Sequence, residues 1–313
     1  MALRIGISGW TYAPWRGVFF PKGLPQKQEL EYASRRLNSI EINGTFYARQ
    51  RPSSYKAWAA AAPDDFQFCV KANCYITHIR RLNDVEEPLS HFFASGPLCL
   101  RYKLGPILWQ FPPNFRFDPK LLRAFFELLP QDTAAAGRLA RLYESKFGGE
   151  GLPDDQAVAP LRHAIEIRHA SFATEEFIGL LREYKVALVV ADTAGKWPFL
   201  EDVTSDCVYL RLHGDKELYA SGYTEAALKE WARKIRVWAK GGLPSHTHCV
   251  GPRGERVPHG RDVFVYFDND VKVKAPFDAI ALARRLGLKE RGEEYPSSLG
   301  QIKGADASSM TSP

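Results

Sequence analysis

Eight short apolar runs alternate along this chain with stretches of helical period, and the runs end in polar pairs or clusters. They read IGISGW (5–10), SIEINGTFY (39–47), FQFCVKAN (66–73), PILWQF (106–111), HAIEIRH (163–169), VALVVADT (186–193), CVYLRLHG (207–214) and DVFVYFDND (262–270). Most open in Val, Ile, Leu or Phe and finish in Asn, Lys, Gln, Arg, Asp or His. A buried strand gains nothing from ions, because an unpaired buried charge is costly. Charges gathered at one end of many strands therefore point to one shared polar mouth.

Between the runs, QKQELEYASRRL (26–37) places Leu30, Ala33 and Leu37 on one face, and 54–62, 119–129, 175–184, 225–239 and 276–286 repeat the pattern. Helix-start signals accompany them: Ser53 before the second, Asp118 before Pro119, Thr174 before Glu175, and Thr224 before the fifth. Strands alternating with helices imply parallel pairing through crossover helices. A doubly wound sheet would carry its ligand on a Gly-rich turn after the first strand. Here that turn is GWTYAPW, with neither G-x-G-x-x-G nor a P-loop, and GGEG (148–151) follows a helix-like segment. Eight repeats with polar strand ends fit an α/β fold of the closed (β/α)8 TIM-barrel type, which needs about 250 residues. One barrel domain is expected over residues 1–290 of the 313. Residues 131–161 read as an inserted helix and loop between the fourth and fifth units. The unit at 193–207 is too short for a full helix, and 291–313, rich in Ser, Gly and Pro, reads as a disordered tail.

No apolar stretch approaches the roughly 20 residues that cross a bilayer, so no membrane partner is expected. The N-terminus enters a strand directly, without the pattern of a signal peptide. Five cysteines without framework spacing fit free thiols in a reducing cytoplasm. Net charge +6 and a pI of about 9.0 favour anionic partners. Two basic segments, ITHIRRLND (76–84) and PRGERVPHGRD (252–262), read either as solvated loops or as phosphate-facing ones.

Residues two apart on a strand share a face. That rule pairs Glu41 with Asn43, Glu166 with Arg168, and Arg211 with His213, while Lys71, Gln110, Asp192 and Asn269 close their own strands. In a barrel these converge on the C-terminal mouth. They supply bases (Glu41, Glu166, Asp192, His213), cations (Lys71, Arg168, Arg211) and amide orienters (Asn43, Gln110, Asn269). The competing reading is an ion-pair network that plugs the barrel. Trp10 and Tyr47, just past strand ends, are placed to stack on a sugar ring or a base. The carboxylates with one His suit Mg²⁺ or Mn²⁺, but the three cations compete for them, so no residue is assigned to a metal and the cofactor stays open. His246-x-His248-Cys249 is irregular for zinc, Cys69-x4-Cys74 is unlike a redox pair, and G-x-S-x-G is absent.

The chain resembles the YecE-like family, domain of unknown function 72. The resemblance rests on GISGWTYAPWRGVFFP (6–21), SIEINGTFYARQRPSSYKAW (39–58), FQFCVKANCYITHIRRL (66–82), LGPILWQFPPNF (104–115), HAIEIRHASF (163–172), YLRLHGDKELYASGY (209–223) and VFVYFDND (263–270). It spans residues 4–286 and implies a TIM barrel, a loose link to sugar isomerases and no settled activity. Positions matching the family motifs are Trp10, Glu41, Asn43, Phe46, Tyr47, Lys71, Gln110, Glu166, Arg168, Asp192, Arg211, His213, Gly214 and Asn269. Asp268 stands where Asn is common. Asn73 replaces a usual Pro, which is expected to loosen the loop after the third strand.

The expected function is an enzyme acting on a small anionic or polyhydroxylated molecule. Glu41, Lys71, Glu166, Asp192 and His213 are the catalytic candidates. Trp10, Asn43, Tyr47, Gln110, Arg168, Arg211 and Asn269 would bind substrate. Glu166 or Glu41 would abstract a proton next to a carbonyl while the cations hold the anion. A nucleic-acid-binding or phosphodiester-processing protein is the second reading, and a non-catalytic binding protein the third.

Overall fold

Each apolar run forms a strand, and in the computed structural model the strands close into one parallel barrel in chain order. They are β1 (Leu3–Ser8), β2 (Ser39–Ile42), β3 (Gln67–Lys71), β4 (Leu104–Gln110), β5 (His163–Glu166), β6 (Ala187–Asp192), β7 (Cys207–Leu212) and β8 (Asp262–Phe267). The structure describes residues 1–142, 158–245 and 247–289. GGEG (148–151), much of the expected insertion, His246 and the expected tail lie outside the described residues.

The helices are α1 (Glu29–Ser34), α2 (Gly44–Tyr47), α3 (Pro52–Ala61), α4 (Glu86–Ala94), α5 (Pro119–Leu128), α6 (Thr133–Arg141), α7 (Glu175–Glu183), α8 (Glu225–Ala239) and α9 (Ala275–Arg285). Asp118, Thr174 and Thr224 cap α5, α7 and α8 by accepting hydrogen bonds from backbone N–H groups of the first turn. Ser53 does not cap α3, which opens one residue earlier with Pro52 at its first position. The expected inserted helix is α6. It packs on α4, where Ser90 Oγ donates to Leu139 O at 2.7 Å. No helix joins β6 to β7, as the shortness of that unit implies.

Inward-facing side chains fill the barrel as a packed core. Cys69, Leu108, Ala164, Val189, Tyr209, Phe264 and Tyr266 meet there. Tyr266 OH donates to Cys69 Sγ at 2.9 Å and shares a hydrogen bond of 2.6 Å with Ser39 Oγ. Gly6 lets β1 lie close to β2, since a Cβ at that position would stand 1.9 Å from Ser39 O. The face of each strand is fixed by its register. Ser8 lies opposite Glu41, Gln110 opposite Glu166, and Ala191 opposite Arg211. Strand ends of like parity thus bring Ser8, Glu41, Lys71, Gln110, Glu166 and Arg211 to the interior of the C-terminal rim.

Candidate active site

Arg211 is the centre of that rim and is fully buried. Its guanidinium donates to Glu41 Oε1 at 2.9 Å and Oε2 at 3.1 Å, Glu166 Oε2 at 2.5 Å, Asp268 Oδ2 at 2.9 Å and Ser8 Oγ at 3.0 Å. Glu41 also accepts from Ser8 Oγ and, at 2.6 Å, from Tyr209 OH. Burial alone would disfavour ionised Glu166 and Asp268. Arg211 outweighs it, helped by Arg168 at Glu166 and His213 at Asp268, and both carboxyls fall well below the ordinary carboxylate range. The same carboxylates hold Arg211 protonated despite its burial. A guanidinium fork occupies the space between these carboxylates where a divalent cation would have to sit. Among the described residues no cluster of three or more His, Cys, Asp or Glu side chains is arranged to hold a metal.

Above this floor lies a cavity of about 520 Å³, lined among others by Tyr12, Lys71, His78, Arg168, Tyr219 and Asp270. Arg168 donates to Glu166 Oε1 at 2.8 Å and to Gln110 Oε1 at 3.0 Å, and its guanidinium carbon stacks 3.8 Å from the Trp197 ring centroid. These partners aim a planar cation along the cavity wall. Lys71 Nζ stands 4.1 Å from the Phe46 ring centroid. Burial, then the charge of Arg211, lowers its pKa to about 8. Thr45 fixes this corner by donating to Ile42 O at 2.8 Å and Lys71 O at 2.6 Å. Asn73 does not loosen the loop. Its Nδ2 donates to Thr45 O at 3.1 Å, and its Oδ1 accepts from Tyr75 N at 3.0 Å. The ring of His78, near Lys71, titrates at about 4 because of burial and then that lysine's charge, and is neutral at pH 7.

Asp270 lies at the opposite edge of the cavity. Burial and then the charge of Asp268 push its carboxyl well above the usual range, which favours the protonated acid over the carboxylate. Its Oδ1 has no hydrogen-bond partner among the described residues. The GWTYAPW turn supports this edge. Tyr12 OH donates to Ser8 O at 2.6 Å, and Trp15, fully buried, donates from Nε1 to Asp270 O at 3.3 Å.

Of the residues singled out from the sequence, the structure gathers Glu41, Lys71, Gln110, Glu166, Arg168 and Arg211 at this floor and wall. Asn43 and the exposed Tyr47 line the cavity. His213 is buried behind them, with Nδ1 3.0 Å from Asp268 Oδ2 but out of line for a hydrogen bond. Gly214, at φ +131°, turns the chain sharply there, and Tyr219 returns edge-on over the His213 ring. Asp192 is not brought into the cluster. It lies one residue past Ala191, on the outer face, and accepts from Tyr223 OH at 3.0 Å. Asn269 is also turned away, donating to Ser221 O at 2.9 Å and Asp278 Oδ2 at 2.8 Å. Trp10 packs edge-on against Trp58 at 5.5 Å, outside the cavity lining. Sequence reasoning missed Asp268, Asp270, His78 and Trp197. For the two aspartates the signal was the alternation Phe264, Tyr266, Asp268, Asp270. The two basic segments lie at opposite ends of the barrel: 76–84 follows β3 at the mouth, and 252–262 leads into the start of β8. Among the described residues no helix is long and apolar enough to cross a membrane. The five cysteines are free thiols.

Comparison with known proteins agrees with the fold. The family model described as "Protein of unknown function DUF72" matches residues 4–300. The UPF0759 protein YunF of Bacillus subtilis is 33% identical over 118 residues, 36% of this chain and 41% of that protein. The UPF0759 protein YecE of Escherichia coli K12 is 29% identical over 128 residues, 41% of this chain and 43% of that protein. The chain thus spans about two-fifths of the length of the curated relatives it matches. A DUF72 family crystal structure from Thermotoga maritima MSB8 superposes with a TM-score of 0.71 at 23% identity, covering 92% of this chain and 100% of that one. One from Enterococcus faecalis V583 gives 0.67 at 16% identity, covering 93% and 98%. At these identities the likeness carries the fold. With the family model matched along nearly its whole length, the chain belongs to the DUF72 family.

Proposed function

We propose that this protein is an enzyme acting on a small anionic, polyhydroxylated carbonyl compound, such as a sugar phosphate, in the cavity at the barrel mouth. One observation carries the reading. Arg211 takes up the carboxylates of the floor, while Arg168 and Lys71 stand at the cavity wall and Asp270 at its opposite edge. A substrate anion would lie against Arg168, whose planar donors match a phosphate or carboxylate. Proton transfer belongs to Asp270 and Lys71, the carboxyl displaced upward and the amine downward from their ordinary ranges, as acid–base work requires. Glu41 and Glu166 serve by holding Arg211 and Arg168 rather than as bases, since an ionised carboxylate pinned by guanidinium is a weak proton acceptor.

The nucleic-acid reading draws less support. Its two basic segments cannot face one ligand from opposite ends of the barrel, and in the one at the mouth Arg80 is paired with Asp84 at 3.1 Å. A purely structural plug accounts for Arg211 and its carboxylates but leaves the cavity and Lys71 unexplained. The test is thermal stabilisation of wild type and Arg168→Ala by sugar phosphates, free sugars and oligonucleotides. A ligand at about 100 times its Kd stabilises by about 2.7 kcal/mol. Stabilisation by sugar phosphates in wild type, lost in Arg168→Ala, is the expected result. Stabilisation by oligonucleotides only, or an Arg168→Ala response equal to wild type, overturns the reading.

A further inference from the structure

The Lys71 amine is a buried cation that the floor's ion-pair network leaves aside. It is buried, yet no hydrogen-bond or ion-pair partner holds it among the described residues. The other buried lysine among the described residues, Lys103, donates to Ala59 O at 2.7 Å and Ala62 O at 2.8 Å. Lys234, mostly buried, is paired with Glu201 at 2.7 Å. A lysine kept for structure is satisfied in this way, because an unpaired buried ammonium is costly. Carboxylates are present around Lys71, but the guanidinium of Arg211 engages Glu41, Glu166 and Asp268. What Lys71 faces instead is the Phe46 ring and open cavity. The charged and titratable groups around it are Arg211, Glu166, Glu41, Asp268, Arg168 and His78.

We infer that Lys71 is a nucleophile that forms an imine with the carbonyl carbon of a small phosphorylated aldehyde or ketone, with Asp270 as the acid that serves the departing oxygen. The inference rests on the reading of the cavity as a site for such compounds. The neutral amine adds to the carbonyl carbon, forming the C–N bond, and the carbonyl oxygen takes the proton of Asp270. The nitrogen then loses one proton, which cavity water relays to the Asp270 carboxylate. Asp270 next protonates the new hydroxyl, the C–O bond breaks, and water leaves. The product is an iminium on Lys71, an ionised Asp270 and one water, with no oxidant or reductant consumed. The iminium draws electrons from the neighbouring carbon, which lets a proton or a carbon fragment leave there. Burial supports the free amine. A fall from 10.5 to about 8 raises the unprotonated fraction at neutral pH by about two orders of magnitude over an ordinary lysine.

The test incubates the full chain with dihydroxyacetone phosphate or glyceraldehyde 3-phosphate, adds sodium cyanoborohydride, and maps the adducts by peptide mass spectrometry. Thermal stabilisation by the same compounds without reductant is measured in parallel. The expected result is a single adduct at Lys71, at least about tenfold above any exposed lysine, and its loss in Lys71→Arg. Stabilisation without an adduct at Lys71 overturns the imine and leaves the anion site standing. Neither stabilisation nor adduct with either compound overturns both. Adducts spread evenly over surface lysines also overturn the imine, and this outcome is read on wild type alone should Lys71→Arg fold poorly.

Discussion

Replacing Arg211 by methionine keeps an unbranched buried side chain and removes the cation shared by Glu41, Glu166 and Asp268. Removing one partner of a buried ion pair costs about 3–5 kcal/mol, because the orphaned charge stays in a low-dielectric site. Unfolding entropy near 60 °C is about 2.1 cal/mol/K per residue, or about 0.65 kcal/mol/K for this length. The expected loss in Tm at neutral pH is therefore about 5–8 °C. The pH dependence carries a second sign. In the native protein Glu166 and Asp268 have depressed pKa values. Their stabilisation is complete above the unfolded value of about 4 and is lost as pH falls below it. In Arg211→Met, burial without the guanidinium raises both carboxyls, so stability falls as pH rises past about 4. The Tm gap between wild type and variant should widen from about pH 4.5 to about pH 7.5. Circular dichroism melts across that range are the assay. A Tm at neutral pH within about 1 °C of wild type, or a gap that narrows as pH rises, would refute the assignment of these carboxylates to Arg211.

Other substitutions separate the floor, the wall and the outer face. Arg168→Lys keeps the charge but loses the fork between Glu166 and Gln110 and the stacking on Trp197. Calorimetry should show sugar phosphate bound about 10- to 100-fold more weakly, and equal affinity would contradict the anchoring role. Asp192→Asn, on the outer face, should leave ligand-induced stabilisation unchanged, and a lost response would return Asp192 to the site. Gly179→Ala in α7, where an added Cβ meets nothing within 4 Å, should raise stability by about 0.5–1 kcal/mol. Gly6→Ala, with its Cβ 1.9 Å from Ser39 O, should instead lower Tm sharply or abolish soluble expression.

The strands and most helices were legible because burial imposes periodicity, and the alternation of the two periods implies a parallel barrel. Lys71 stood out as the charge that closes an apolar strand, and parity located Glu41, Glu166 and Arg211 because polar residues two apart mark the inner face directly. It failed at Asp192, where the run Ala187–Ala191 is apolar on both faces, as parallel strands covered by helices are, and only its pairing with β7 tells inside from outside. It failed again at β8, whose ending DND offers a polar residue at either parity. There Tyr266, pointing inward, selects Asp268 and Asp270 over Asn269. α4 was missed because Pro88 breaks the helical signal, although a proline in the first turn costs no hydrogen bond. The pairing of Arg211, rather than Lys71, with the carboxylates depends on side-chain reach across the barrel, which no local pattern encodes.

Solvent-deuterium exchange is the most direct test of the central claim that this cavity performs proton chemistry next to a carbonyl. Dihydroxyacetone phosphate and glyceraldehyde 3-phosphate would be incubated with the protein in deuterium oxide and followed by proton NMR at the carbon beside the carbonyl. Wild type is expected to exchange that hydrogen roughly a hundredfold faster than buffer, with Lys71→Met and Asp270→Asn near the buffer rate. Exchange no faster than buffer, from a protein that these compounds stabilise, would show a binding site without the proposed chemistry and contradict the account.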